Sequence, residues 1–98
     1  MQLTSKQRAY LRSIAHHLKP ILHVGKEGVT ATVLDSVRTA FNTRELLKVK
    51  VLEAAPGSVH DIGTSISDQA DGVSMVQVIG RTIVLYRRHP EKPEIELP

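Results

Sequence analysis

Along the first twenty residues, Leu11, Ile14, Ala15 and Leu18 recur at the i, i+3, i+4, i+7 spacing that places side chains on one face of a helix. Thr4 followed by Gln7 three residues on has the form of a capping box, in which each side chain satisfies a free backbone N–H at the helix start. Pro20 ends the pattern, because the residue before a proline is pushed out of the helical region. Arg8, Arg12 and His16 run up one flank of this helix at four-residue spacing, with Lys19 just beyond. Ile21 to Val24 reads as a short strand. A second helix is predicted from about Thr30 to Thr43, burying Val33, Leu34, Val37, Ala40 and Phe41. From Leu46 to Leu52 the period falls to two: Leu47, Val49 and Val51 face one way, and Lys48 and Lys50 face the other.

After a loop centred on Pro56-Gly57, a weaker third helix is expected, capped by Ser58 and with Asp61 favourably placed in its first turn. Its stripe is Val59, Ile62, Ile66 and Ala70, and Gly72 suits a left-handed ending. Met75 to Ile79 and Thr82 to Arg87 read as strands joined at Gly80-Arg81, a two-residue hairpin turn with glycine first. Roughly twenty residues separate successive strands among the first three, enough for helical crossovers between parallel strands, whereas the last pair must be antiparallel. The predicted class is α/β, in the order αβαβαββ, with a mixed four-stranded sheet packed with three helices. Residues 1–90 form one domain, and 91–98, with prolines and alternating charge, form an extended tail.

The chain has 98 residues, which supports one modest core and not two. Phe41, Tyr10 and Tyr86 are the only aromatics, so that core is mostly aliphatic, and both tyrosines are expected to be partly buried in it. Without cysteine there is neither a disulfide framework nor a thiolate metal site. The longest apolar run, Ile83 to Tyr86, is far too short to span a bilayer. Lys6, Arg8 and Arg12 interrupt any apolar stretch at the amino terminus, so no signal peptide is predicted and the expected location is the cytoplasm. The net charge is only +3, but residues 1–50 carry nine Lys/Arg against three Asp/Glu, and residues 51–98 carry four against seven. That asymmetry suggests a basic surface facing a polyanion; a solvated helix face accounts for it equally well.

Gly25-Lys26-Glu27-Gly28 lies between a strand and a helix start. Two glycines three apart allow a tight turn and close backbone approach, and the following helix offers unpaired N–H groups suited to phosphate. Loops of this GxxG form clamp nucleic-acid backbones, although an ordinary turn uses the same residues. A nucleotide-binding P-loop is excluded, since it requires glycine where Pro20 stands and Ser or Thr where Glu27 stands. Lys48 and Lys50, with the Arg8/Arg12/Lys19 flank, add dispersed cations of the kind phosphate binding needs. His16 and His17 point about 100° apart on a helix, unlike ligands of one metal. Ser58, His60 and Asp61 sit at a helix start where a cap is the simpler role, and no nucleophile elbow surrounds any serine. No enzyme, cofactor, membrane or small-molecule substrate is predicted.

Five segments in order resemble a CRM domain, the chloroplast RNA splicing and ribosome maturation module of bacterial single-domain RNA-binding proteins. They are Leu3 to Arg8 with Leu11-Arg12, Leu18-Lys19-Pro20, Gly25 to Thr30, Glu45 to Val51, and Val76 to Arg87. Ile95 to Pro98 also resembles the end of the bacterial members, so the resemblance covers nearly the whole chain. Ala54-Ala55-Pro56-Gly57 is more apolar and proline-bearing than the resemblance implies. The resemblance implies a fold like the carboxy-terminal domain of translation initiation factor three and association with ribosomal RNA in precursors of the large ribosomal subunit, without catalysis. It gives RNA contact to Gly25, Lys26, Glu27 and Gly28, and Thr30, at the start of the following helix, is also a predicted RNA contact. The protein is expected to be a monomer, and the residues themselves leave two other readings open, a protein-interaction module docking on ribosomal proteins and a phosphate-ligand enzyme.

Overall fold

The computed structural model describes residues 2–98. The elements follow the predicted order: α1 (Ser5–Ala15), β1 (Leu22–Val24), α2 (Ala31–Ala40), β2 (Leu46–Val51), α3 (Val59–Gln69), β3 (Ser74–Ile79) and β4 (Thr82–Tyr86). The capping box forms as its residues require: Gln7 N–H donates to the Thr4 hydroxyl and Thr4 N–H donates to Gln7 Oε1, both at 3.1 Å. Ser58 caps α3 by accepting from Asp61 N–H at 3.0 Å. Gly80 carries the positive φ, 59°, that a glycine-first hairpin turn demands, and Ile79 pairs with Thr82 across it.

The sheet runs β1-β2-β4-β3. β1 and β2 pair in parallel across the α2 crossover, while β4 lies antiparallel between β2 and β3, so β3 points the same way as β2. The sheet divides the expected single core into two layers, because both of its faces receive a helix. On one face Val24, Leu47, Val49, Val51, Ile83 and Leu85 pack with Leu34, Val37 and Phe41 of the α2 region and Ile62 and Ile66 of α3. On the other, Leu46, Val84, Tyr86 and Val76 pack under Leu11 and Ala15 of α1. Tyr86 is fully buried there, whereas Tyr10 remains 40% exposed, contrary to the expectation for it.

Both early helices end sooner than their apolar stripes predict. α1 stops at Ala15, Leu18 N–H turns back to Ala15 O at 2.9 Å, and the Leu18 side chain stays exposed. α2 ends at Ala40, and tighter i→i−3 bonds from Asn42 and Thr43 complete its last turn. A shift of register at Met75/Gln77 puts a bulge into edge strand β3, and Arg8 Nη1 donates to the two carbonyls exposed there, Met75 O at 2.6 Å and Val76 O at 3.1 Å.

The carboxy-terminal segment has no regular secondary structure and lies packed on the body. Ile95 and Leu97 join the layer under α1, and Gln7 Nε2 donates to Pro98 O at 3.2 Å. The radius of gyration, 12.6 Å, matches the roughly 13 Å of a compact domain this size. The clamp is Glu45, buried at the entrance to β2, whose carboxylate accepts from His89 N–H at 2.7 Å and from Glu94 and Ile95 N–H at 2.8 Å each. Burial alone would push this carboxyl up, but the three backbone donors and nearby His89 outweigh it and hold it below its ordinary value.

Glu45→Ala is expected to lower the unfolding free energy by about 2–3 kcal/mol, since three buried donors lose a charged acceptor. Because the folded carboxyl titrates below the unfolded one, Glu45 contributes stability above the unfolded value near 4.5 and loses it as pH falls through the folded value. Urea unfolding of both proteins across this acid range should show the gap closing. A gap independent of pH would rule the ionised clamp out.

Candidate nucleic-acid interface

The Gly25–Gly28 turn leaves the end of β1 and is closed by a hydrogen bond from Gly28 N–H to Gly25 O at 2.9 Å. Lys26 and Glu27 stand exposed at its tip. The two glycines differ in role. Gly28 is buried with φ of 70°, and a Cβ there would lie 3.2 Å from Pro56 Cγ. The close approach predicted for this glycine is therefore made to the chain's own Ala54–Gly57 loop. Gly25 has ordinary backbone geometry, and a Cβ on it would meet only Leu52 Cδ1 at 3.8 Å. Thr30 is the N-cap of α2, its hydroxyl accepting from Val33 N–H at 3.1 Å. The amides of Ala31 and Thr32 lie in the first turn, where no acceptor exists within the helix.

One side of this turn is acidic. A cleft of about 300 Å³ between the turn and α3 is lined by Glu27, Pro56, Asp61 and Ser65 among others, and Glu53 is exposed in the neighbouring loop. An anion meets repulsion there. The opposite side of the turn continues onto the sheet face that α1 only partly covers. On that face the register builds a straight row across all four strands, Ile79–Thr82–Lys50–His23. Ile79, Lys50 and His23 are exposed and Thr82 is half-buried. Behind it lie Gln77, Val84 and Lys48, with Ile21 joined to the last through Ile21 N–H to Lys48 O at 3.1 Å. Arg81 fixes the end of the sheet by donating from Nε to Val51 O at 2.9 Å and from Nη2 to Leu52 O at 2.7 Å.

The predicted cations separate into two groups. Lys26, Lys50, Arg12 and Lys19 are exposed, and no side-chain hydrogen bond or ion pair ties them among the described residues. Arg8 is half-buried and committed to the β3 bulge. Lys48 is half-buried and donates from Nζ to Leu18 O at 3.0 Å, securing the segment after α1. The strand lysines do lie opposite Leu47, Val49 and Val51, and they occupy the same sheet face as α1. Arg12, one turn beyond Arg8, shares its flank of the helix. His23 escaped the sequence reading. Its signal was the alternation of β1 itself, where Leu22 and Val24 point to the larger core and leave His23 on the open face.

Residues 3–87 match the family model described as the CRS1 / YhbY (CRM) domain. The chain is 43% identical to "Probable RNA-binding protein YqeI" of Bacillus subtilis, over 98% of this chain and 99% of that one. It is 38% identical to a protein of Haemophilus influenzae named "RNA-binding protein", covering 98% and 95% of the two chains. The solution structure of SAV1595 from Staphylococcus aureus superposes with a TM-score of 0.83 at 39% identity, covering 99% of this chain and all of that one.

The unequal glycines make a direct expectation. Gly28→Ala should cost about 1–2 kcal/mol, since a side chain is strained at positive φ. Gly25→Ala should change stability by no more than about 0.5 kcal/mol. Thermal melts followed by circular dichroism read both, and equal losses would refute the division of roles.

Proposed function

The chain belongs to the CRS1/YhbY (CRM) family, and on that premise we propose that it is a non-catalytic RNA-binding protein that associates with ribosomal RNA in cytoplasmic precursors of the large ribosomal subunit. The observation that carries the RNA reading is the surface running from Lys26, past the exposed row at the end of the sheet, towards the α1 flank. Lys50 on β2, Arg12 on α1 and Lys19 in the linker after it belong to the α1 side of the sheet, and Lys26 stands at the tip of the turn that leaves β1, while Glu27 and Asp61 line the cleft between that turn and α3. Dispersed cations suit a phosphate backbone, because each neutralised phosphate releases condensed counterions. The relatives' names support RNA as the polyanion, and the family resemblance of the five sequence segments supports the ribosomal precursor. Lys26 with the Gly25 and Glu27 backbone, Lys50, Arg12 and Lys19 are the proposed contacts; Gly28, Thr30, Arg8 and Lys48 hold the surface in shape.

Binding to rRNA fragments should weaken steeply with salt. If Lys26, Lys50, Arg12 and Lys19 neutralise about four phosphates, log affinity falls against log salt with a slope of roughly −3, about fifty-fold for a fourfold rise in salt. Lys26→Glu with Lys50→Glu should weaken binding and flatten the slope, while stability shifts by only about ±0.5 kcal/mol per exposed site. The ribosomal assignment is tested by co-sedimentation: the protein should travel with immature large subunits and be released by nuclease. A flat salt response together with nuclease-resistant association would instead indicate docking on ribosomal proteins.

A further inference from the structure

We propose that the open end of the sheet holds an unpaired stretch of RNA, with a base stacked on the His23 imidazole and its flanking phosphate on Lys50. This deepens the RNA-binding reading and rests on it. The row Ile79–Thr82–Lys50–His23 crosses three strand-to-strand steps, roughly 14 Å at about 4.8 Å each. α1 does not reach this row, whose members are exposed or half-buried. Its four side chains supply different contacts: an aromatic ring, a cation, a hydroxyl and an aliphatic surface. Unpaired bases are recognised by stacking on flat rings, histidine included, combined with polar contacts to the sugar-phosphate backbone. A duplex keeps its base faces inside the stack and would present only phosphates and groove edges to such a row. Among the described residues, His23 has no side-chain hydrogen bond, ion pair or ring contact that would give it a structural task. The ring stands two residues before Gly25, on the side of the turn away from Glu27 and Asp61. Lys50 is the cross-strand neighbour of His23, three residues before Lys26 at the tip of the turn that leaves β1. Thr82, beside Lys50 on the other side, is placed to bond a ribose hydroxyl.

The test compares an unstructured RNA of about 12 nucleotides, within the span of single-strand binding sites, with a duplex of the same length. The wild-type chain and three variants, His23→Ala, His23→Phe and His23→Lys, are each checked by a melting curve. Loss of one stacking partner should lower single-strand affinity by about 5- to 160-fold. The expected pattern is that His23→Ala loses single-strand binding by that factor, His23→Phe retains it, His23→Lys does not restore it, and duplex affinity is the same in wild type, His23→Ala and His23→Phe. Rescue by lysine but not phenylalanine would make the position a point charge and overturn the stacking. Equal single-strand affinity in all four proteins, with rRNA binding intact, would remove the row from the interface while leaving the RNA reading standing. Failure of the wild type to bind either probe or any rRNA fragment would retire the RNA reading itself, and this inference with it.

Discussion

An 11-residue helix cannot cover one face of a four-stranded sheet. At 1.5 Å per residue α1 is roughly 16 Å long and about 10 Å wide, whereas the face beneath it spans about 14 Å between its outer strands and up to about 20 Å along them. The opposite face escapes this limit because two helices share it. The chain therefore has a dry half and a wet half on the α1 side, and the residues follow that division. Leu46, Val84 and Tyr86 lie beneath the helix, and His23, Lys50 and Thr82 lie beyond it.

Which half stays open is decided at the other end of the sheet. Glu45 gathers three backbone N–H groups of the carboxy-terminal segment, and Ile95 and Leu97 then fill the space beside Ile14 and Tyr86. Arg8 locks α1 to the β3 bulge, and Lys48 holds the linker by its Leu18 carbonyl. Two of the basic residues thus act on the fold before any ligand arrives. Burying part of the Arg8 guanidinium is tolerable here because it meets two carbonyl oxygens. Fewer cations remain for phosphate than the composition suggests, but Lys26, Lys50, Arg12 and Lys19 are all exposed.

Much of this was legible in the sequence because it is local. The Thr4/Gln7 box, the Ser58 cap and the Gly80 hairpin each follow from a few neighbouring residues, and the alternation from Leu47 to Val51 fixed the faces of β2. Even the half-covered sheet left a trace: Leu46 and Leu47 are apolar on both faces, while Lys48 and Lys50 mark where one face opens. What escaped depends on long-range partners. Nothing next to Glu45 announces that its carboxylate is saturated by residues more than forty positions away. Arg8 reads as one of a basic flank until the β3 bulge supplies its two carbonyls. His23 becomes noticeable only once pairing sets it beside Lys50, and the insertion of β4 between β2 and β3 has no local signature.

The Gly25–Gly28 turn shows why a motif and its mechanism need separate arguments. The spacing of the glycines suggested a tight turn that another backbone could approach closely, yet at the buried Gly28 the close neighbour is Pro56, and this glycine serves to seat the turn against the next loop. The proline that made Ala54–Gly57 look unusual is thus the partner that makes Gly28 necessary. Once Gly28 is fixed there, Glu27 and Asp61 share the wall on the α3 side, and Lys26 stands at the tip of the turn. For the proposed RNA path these carboxylates would supply direction: repulsion of a polyanion on the α3 side of the turn favours the side where β1 and β2 present His23 and Lys50.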